Sequence, residues 1–470
     1  MTIDTLPDEV VVEIFDFYII VNDRGSYTPL NTWHALVHVC RRWRYLVFAS
    51  PRRLNLRLAY HGHRPISEVL DAWPVLPITL ISRLESSELP KSDQRRDNLV
   101  AALESEHYNR ISEIHISETT SSHWERLAAA MKKPFPNLTY LDVSLYFSRF
   151  SVLVLPDSFL GGSAPRLRTL KLTGVRFPSM QKPLSSANGL VKLTLLNIPD
   201  YGYISFDAMA TALKVMTRLE SLHLDFRSAL SFPEPTNQHL PPPMRFVLPA
   251  LTELIFRGVY PYLEDLLARI DAPLLYRLRI TFFKDPNFDV PELRRLVGHT
   301  EDFKAFDYAV VSVFNYSIML DLKTEAVDHL RWLAIEIACK ELDLQVSSLA
   351  QLCSSSFSLI STLEELKIVE SDYLSSSHWK CDTDDTRWVE LLDSFTAVKN
   401  LYLTDEVARR VCGALRDPSR ERVTEVLPSL RNVFVNGSRS SFEHIEEAMR
   451  PFVAARQLSG HPLAISHWRR

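Results

Sequence analysis

Residues that could perform chemistry are few and scattered in this sequence. Neither of the two glycine-rich phosphate-binding patterns, G-x-G-x-x-G and G-x-x-x-x-G-K, is present, and no G-x-S-x-G marks an activated serine. His61 and His63 have a spacing that could hold a metal ion, but no further ligand residues stand nearby, so a turn is the simpler interpretation. We therefore expect no catalytic residues, no metal and no cofactor.

A second possible metal site lies further along the chain. Its candidate ligands are His378, Cys381, Asp382, Asp384 and Asp385. Read as a calcium loop that starts at Asp382, the segment fails, because Arg387 stands where glycine is needed and Asp393 where glutamate is expected. The sequence therefore favours no metal at this place.

Composition narrows the class of protein. The chain has 470 residues, a net charge of -4 and 46% hydrophobic residues, so it is a folded protein with no bias towards nucleic acid. Its five cysteines are odd in number and form no C-x-x-C, which suits a reducing compartment, the cytosol or the nucleus. The longest uncharged run, Leu344–Leu363, holds seven serines and two glutamines, so we expect no membrane span.

The N-terminal segment is predicted to be helical and to carry more apolar surface than it can bury. Thr5 and Pro7 suit the start of a helix. Two adjacent apolar stripes follow at helical spacing, Val10, Ile14 and Phe17 beside Val11, Phe15 and Tyr18. A third stripe comprises Leu36, Val39, Trp43 and Leu46, after a predicted loop at 22–29. The apolar surface that these helices cannot bury among themselves must pack against another part of the chain or another protein.

This segment resembles an F-box. The resemblance rests on Leu6-Pro7-Asp8-Glu9, Ile14-Phe15 and Val39-Cys40-Arg41-Arg42-Trp43-Arg44, although the loop at 22–29 is longer than the family's usual connection. The family docks the small adaptor subunit of SCF-type cullin–RING ubiquitin ligases. The resemblance implies the following adaptor-binding residues: Leu6, Pro7, Ile14, Phe15, Val39, Cys40 and Trp43. The alternative is an ordinary helical hairpin packed on the domain behind it.

The rest of the chain is dominated by a repeat. The pattern L-x-x-L-x-L, with other apolar residues allowed, occurs twelve times from Ile111 to Leu430 at a mean step of 29 residues. Strand signals at Leu54–Leu58 and Trp73–Ile81 precede it, and the prolines of 232–243 interrupt it, as a surface loop or as a ligand for another domain. The array resembles the leucine-rich-repeat family, without that family's asparagine ladder.

These patterns predict an α/β fold with four regions. They are an F-box helical domain over 1–50, a linking region with the first strands over 51–109, a leucine-rich-repeat solenoid of short parallel strands and return helices over 110–450, and a C-terminal tail over 451–470.

One residue of each strand is predicted to point outward, between the last two apolar positions. These residues are Asp142, Lys171, Thr194, His223, Ile255, Arg279, Asp307, Ala334, Lys367, Tyr402 and Phe434. Among them, cations and aromatic residues are the commonest anchors of protein interfaces. The predicted substrate-binding residues are Lys171, Arg279, Lys367, Tyr402 and Phe434, unless the tail from Arg450 to Arg470 folds back over them.

The resemblance implies the non-catalytic substrate-recognition subunit of an SCF-type ubiquitin ligase. Its partners would be the adaptor, a cullin bound through the adaptor, and an unknown protein substrate, with neither nucleic acid nor membrane. Two alternatives stay open, a repeat scaffold with no ligase role and an enzyme built on a repeat frame. The basic run at Arg41, Arg42, Arg44, Arg52 and Arg53 could bind nucleic acid or form a solvated helix face near the adaptor.

Overall fold

The structure is a computed structural model that describes most of the chain. The described residues are 5–23, 32–82, 92–118, 121–145, 155–156, 158–175, 184, 186–199, 204–227, 245–283, 290–304, 306–324, 331–356, 358–370, 386–415 and 425–468. The chain divides into two compact units, the first of residues 1–204 with 211–218 and the second of residues 205–210 with 219–470. The Pro-rich segment 232–243 and the possible ligands from His378 to Asp385 lie outside the described residues.

The N-terminal segment folds into three helices. They are α1 (Asp8–Asp23), α2 (Trp33–Val37) and α3 (Arg41–Ala49). The loop predicted at 22–29 is wrong at its start, because α1 continues through Asp23, and residues 24–31 are outside the described part. Cys40 caps α3, since its Sγ accepts a hydrogen bond from the Trp43 backbone N–H at 3.4 Å.

These helices share a core with the segment that follows them. Val11 and Phe15 of α1 are fully buried with Val47 of α3, and Leu54, Leu56 and Leu76 join the same cluster. The Trp43 ring meets the Phe15 ring edge-on at 4.8 Å. The N-terminal helices are therefore anchored on residues beyond 50, as their surplus of apolar residues required.

The first unit continues with parallel strands that pair in chain order. The strands are β1 (Leu58–Tyr60), β2 (Ile78–Ser82), β3 (Ile111–Glu118), β4 (Tyr140–Leu145), β5 (Thr169–Thr173) and β6 (Lys192–Ile198). The helices of this part are α4 (Ile66–Ala72), α5 (Ser92–Glu104) and α6 (Ser121–Ala130). The strand predicted at Leu54–Leu58 begins only at Leu58, because residues 51–55 form turns and Asn55 has a φ of 47°.

Helix α7 (Phe206–Leu213) lies where the division between the units falls. The second unit has strands β7 (Ser221–Phe226), β8 (Phe246–Val247), β9 (Glu253–Gly258), β10 (Ile270–Asp271), β11 (Arg277–Phe283), β12 (Tyr308–Phe314), β13 (Ser317–Lys323), β14 (Trp332–Ala338), β15 (Glu365–Glu370), β16 (Asn400–Thr404), β17 (Asn432–Asn436) and β18 (Ala464–His467). Its helices are α8 (Tyr260–Leu267), α9 (Pro291–His299), α10 (Leu342–Ser356), α11 (Thr386–Leu392), α12 (Asp405–Leu415) and α13 (Arg439–Leu458).

The main sheet of the second unit departs from chain order at one place. Its order is β7-β9-β11-β14-β13-β12-β15-β16-β17-β18, and β8 pairs with β10 separately. All neighbours in this order are parallel except β12–β13 and β13–β14, which are antiparallel. The predicted repeat at Phe303-Phe306-Tyr308 is therefore wrong: Tyr308 begins a hairpin strand, and Asp307 lies before it. The predicted α/β fold of N-terminal helices followed by short, mostly parallel strands with return helices is confirmed.

The predicted C-terminal tail is wrong for most of its length. Helix α13 continues through Pro451 to Leu458, and β18 adds a parallel strand beside β17. The guanidinium of Arg456 is fully buried and donates hydrogen bonds to the carbonyls of Leu427 at 3.2 Å and Leu430 at 3.0 Å. The end of α13 is therefore held by a buried polar residue. Because hydrophobic periodicity marks only apolar contacts, it does not predict this part of the helix.

Candidate functional site

Helix α1 exposes an apolar stripe beside its buried one. Val10, Ile14, Phe17 and Tyr18 recur at helical spacing and are exposed, Phe17 to 71%. Val11 and Phe15, one position further along the helix, are fully buried. The helix therefore buries one apolar face in the N-terminal core and leaves a second one exposed.

Two further exposed apolar residues lie at α3. Val39 precedes the helix and is 59% exposed, and Tyr45 within it is 71% exposed. The guanidinium of Arg42 binds the Asp8 carboxylate at 2.6 Å and the Leu6 carbonyl at 2.6 Å, which joins the first turns of α1 and α3. Val39 and Cys40 therefore lie at the same end of the domain as Leu6 and Pro7. The N-terminal apolar surface is defined as Val10, Ile14, Phe17 and Tyr18 of α1, with Val39 before α3.

The predicted adaptor-binding residues divide between this surface and the core. Ile14, Val39, Cys40 and Pro7 are exposed, and Leu6 and Trp43 are partly buried. Phe15 has no exposed surface, so its assignment as a contact residue is wrong: its ring packs under Trp43 inside the core. Helical spacing shows that two apolar faces exist, whereas which of them is buried depends on the tertiary contacts.

Three of the five arginines in the basic run, Arg42, Arg44 and Arg53, have partners within the chain. Besides the Arg42–Asp8 pair, Arg44 donates to the Val37 carbonyl at 2.9 Å, and Arg53 forms an ion pair with Glu13. These arginines hold α1, α2 and α3 together. Their partners favour a structural role over a basic surface for nucleic acid.

An aromatic stack fixes α2 against the segment before β2. The His34 ring lies flat on the Trp73 ring at a centroid distance of 4.4 Å, and Trp33 packs edge-on against both. Burial, and then the neighbouring His38, lowers the pKa of His34 from 6.5 to about 4. The folded protein therefore holds this imidazole neutral at neutral pH.

Acid is expected to destabilise the protein through His34. Its pKa of about 4 in the folded state lies below the unfolded value of 6.5, so the unfolded chain takes up the proton first as pH falls through this window. We expect the denaturant midpoint of the first unit to fall between about pH 7 and about pH 5, and to fall less in His34→Phe, which keeps an aromatic ring but cannot titrate. An equal fall in both proteins would assign the acid sensitivity to other groups.

The first unit also carries a polar row on its strands. His115 of β3 stacks on Tyr140 of β4 at 4.6 Å, and Glu113 forms an ion pair with Arg57. Lys171, a predicted substrate-binding residue, pairs with the Asp142 carboxylate at 3.0 Å. The charges of this row are matched by their neighbours, and the Ser144 hydroxyl donates to the same Asp142 carboxylate at 3.1 Å.

Strand register in the second unit aligns most of the predicted outward positions. The row comprises His223, Ile255, Arg279, Ala334, Asp321, Val310, Lys367, Tyr402, Phe434 and Ser466. Val310 occupies the position assigned to Asp307, because β12 belongs to the hairpin. Ala334 lies in the row but is fully buried, so it offers no surface. The row brings Lys367, Tyr402 and Phe434 onto three adjacent strands.

Aromatic rings surround Lys367 in this row. Its ammonium nitrogen lies 4.5 Å from the centroid of the Tyr308 ring and 5.4 Å from that of Tyr402. Tyr402 stacks on Phe434 at 4.6 Å, and Trp468 meets Tyr402 edge-on at 5.4 Å. The Lys367 cluster is defined as these five partly exposed residues.

Two members of the cluster are not predicted from the sequence. The repeat pattern assigns Tyr308 to an apolar position, and Trp468 falls in the predicted C-terminal tail. The C-terminal residues cover Tyr402 in part, as the alternative expected. The Trp468 ring contacts the Tyr402 ring, and the Trp468 backbone N–H donates to the Val435 carbonyl at 3.1 Å. Burial, and then the nearby Glu365 carboxylate, raises the pKa of Tyr402, so its phenol stays neutral.

Arg279 lies in the same row, four strands away from Lys367. It forms an ion pair with Glu336 at 3.4 Å and lies over the Trp332 ring at 5.8 Å. The charge of Arg279 is therefore compensated by its neighbours, whereas the sequence predicted a residue available to a substrate. A substrate would have to displace Glu336 to pair with Arg279.

One pair of possible metal ligands lies among the described residues. His61 and His63 are exposed on either side of Gly62, whose φ of 72° marks a turn. Among the residues that the structure describes, no group of three or more histidine, cysteine, aspartate or glutamate side chains could hold a metal ion. Within the same residues, no helix has the length and hydropathy needed to cross a membrane.

Comparison with known proteins gives a family for the N-terminal domain. Residues 3–54 match the F-box-like family, so the apolar stripe of α1 belongs to an F-box-like domain. No curated protein matches the chain. The leucine-rich repeat-containing protein LegL7 from Legionella pneumophila is similar over 86% of this chain and 97% of its own, with 14% sequence identity and a TM-score of 0.27, a likeness too weak to support an argument.

Proposed function

We propose that this chain is the substrate-recognition subunit of an SCF-type cullin–RING ubiquitin ligase. The observation that carries the proposal is the N-terminal apolar surface, which lies within the F-box-like residues 3–54 and is left uncovered by the chain's own core. F-box domains generally bind the SCF adaptor. An exposed apolar stripe on a helix is a surface of the kind that protein partners cover.

The second unit supplies a separate surface in this proposal. The Lys367 cluster combines a cation with partly exposed aromatic rings, and Tyr and Trp are among the residues that carry most of the binding energy of protein interfaces. The chain performs no chemistry of its own. It raises the effective concentration of a substrate lysine near the ubiquitin carrier by holding both the adaptor and the substrate.

A repeat scaffold without a ligase role is the second candidate. It would use the Lys367 cluster in the same way, but it would leave the N-terminal apolar surface without the adaptor. We place the ligase function in the cytosol or nucleus, where the free thiols of Cys339, Cys353 and Cys412 would persist.

Capture from cells distinguishes the two candidates. The tagged full-length chain is purified after proteasome inhibition, and the co-purifying proteins are quantified by mass spectrometry. The ligase proposal expects the adaptor and a cullin in stoichiometric amounts. A chain that recovers other partners but neither ligase subunit would be a scaffold.

A further inference from the structure

Five cations lie on the outward face of the described strands β9, β11, β13 and β15, and four of them have carboxylate partners. Arg257 pairs with Asp225 at 3.9 Å, Arg277 with Glu253 at 3.0 Å, Arg279 with Glu336 at 3.4 Å, and Lys323 with Asp321 at 3.6 Å. Each of these charges is therefore compensated within the sheet.

Lys367 differs from the other four cations. Among the described residues its ammonium group has ring contacts with Tyr308 and Tyr402 but no carboxylate within ion-pair distance. Its neighbour Glu365, two residues earlier on the same face, accepts a hydrogen bond from Asn400 at 3.4 Å instead. Aromatic faces attract a cation without neutralising it, so Lys367 keeps a charge available to an anion.

We infer that the Lys367 cluster binds an extended segment of the protein substrate through an acidic side chain. This inference rests on the proposed function and adds the chemistry of the substrate. The carboxylate of the segment pairs with the Lys367 ammonium group, and an apolar side chain of the same segment packs over the stacked rings of Tyr402 and Phe434. Trp468 bounds this apolar contact on the side of β18.

Strand spacing defines the sequence of such a segment. Adjacent strands are about 4.8 Å apart, so a point above the Tyr402–Phe434 stack lies about 7 Å from Lys367 across the sheet. Residues two apart in an extended chain point to the same side and are separated by about the same distance. The segment therefore reads acidic, any residue, apolar.

The charge pattern favours a peptide over a nucleic acid. A phosphate backbone presents one charge per nucleotide and is held by several uncompensated cations along its path. Among the residues of this face that the structure describes, the cations other than Lys367 are paired with Asp225, Glu253, Glu336 and Asp321. One available cation beside an apolar stack fits a single carboxylate.

Defined peptides test the inference on the full-length chain. The probe is a fluorescein-labelled Gly-Ser-Glu-Ser-Leu-Ser-Gly peptide, with two comparison peptides in which Lys replaces Glu or Ser replaces Leu. Fluorescence anisotropy is expected to show at least about 10-fold tighter binding of the Glu-Leu peptide than of either comparison, the size of effect that one lost ion pair or apolar anchor causes. Lys367→Met should abolish the preference for Glu over Lys, and Lys367→Glu should reverse it.

Lys323→Met is the matched control, because it removes a cation on the same face that is already paired. Thermal unfolding of each variant verifies its fold. The inference is overturned if wild type does not discriminate the peptides or if Lys323→Met acts like Lys367→Met. It is also overturned if only a phosphoserine peptide or an oligothymidine binds, or if Lys367 instead controls self-association.

The same variants keep this inference separable from the ligase proposal. Adaptor co-purification uses the N-terminal domain, so it should persist in Lys367→Glu. Adaptor binding without peptide discrimination would end the inference and leave the ligase proposal intact. Peptide discrimination without adaptor binding would do the reverse.

Discussion

Phe17→Asp is expected to weaken adaptor binding by about 100-fold or more while the chain stays folded. Phe17 is 71% exposed at the centre of the α1 stripe, so its replacement costs the core little. In the complex it would be a buried aromatic anchor, and the substitution would place an unpaired carboxylate in an apolar interface. Titration of each full-length protein with purified adaptor measures the effect.

Tyr316→Asp provides the matched control for Phe17→Asp. Tyr316 is also an exposed aromatic residue, at 67%, but it lies in the turn between β12 and β13 of the second unit. Adaptor binding should be unchanged in this variant. An equal loss in both variants would point to a general effect of the added charge, and no loss in Phe17→Asp would remove α1 from the docking surface.

Phe15 gives the opposite behaviour on the same helix. It is fully buried, so Phe15→Ala should destabilise the N-terminal domain by about 3–5 kcal/mol and lose the adaptor through unfolding. The two phenylalanines are two positions apart in the sequence. Far-UV circular dichroism distinguishes the two variants. Phe17→Asp should keep the helical signal of wild type, and Phe15→Ala should lose part of it.

Arg456→Met is expected to release the C-terminal end of the second unit. The buried guanidinium donates to the carbonyls of Val426, Leu427, Pro428 and Leu430 at 3.0–3.5 Å. Leaving such acceptors buried without donors costs about 1–3 kcal/mol each, so we expect a loss of about 3 kcal/mol or more. Hydrogen exchange should rise across residues 425–468, which include β18 and Trp468.

Arg450→Met is the control on the same helix, since the Arg450 side chain is 74% exposed and its pair with Glu447 is at 4.0 Å. This variant should exchange like wild type, because an exposed ion pair contributes little. A uniform rise over the whole second unit in Arg456→Met would contradict a local anchoring role. Repeat arrays transmit damage mainly to neighbouring repeats.

The sequence predicted the strands where apolar alternation and the repeat step agreed. Leu222, Leu254, Leu278, Leu366 and Leu401 all lie buried on paired strands, and the row through Lys367, Tyr402 and Phe434 follows from the same register. The sequence does not predict the β12–β13 hairpin, because Phe303-Phe306-Tyr308 fits the repeat step although Tyr308 begins a hairpin strand. The two-residue connection, Asn315-Tyr316, also lacks the Asn-Gly or Asp-Gly signal of a tight turn. Local patterns could not show that β14 pairs with β13 instead of β12.

The candidate sites were predictable only to the level of a helix face or a strand row. The periodicity of α1 showed two apolar stripes, but burial of Phe15 and exposure of Ile14 depend on packing against α3. Trp468 reached the Lys367 cluster because Arg456 holds α13 in place, a polar contact that hydrophobicity does not reveal. The uncompensated charge of Lys367 likewise depends on where neighbouring carboxylates lie.

The N-terminal domain is proposed to dock the SCF adaptor. Isothermal titration of the full-length chain with the purified adaptor measures this docking and needs neither a substrate nor a cell. We predict a one-to-one complex that forms with a negative heat-capacity change, the mark of apolar surface such as Ile14 and Phe17 leaving water. A folded chain that gives no binding heat at several temperatures, and no complex on size-exclusion chromatography, would contradict the claim.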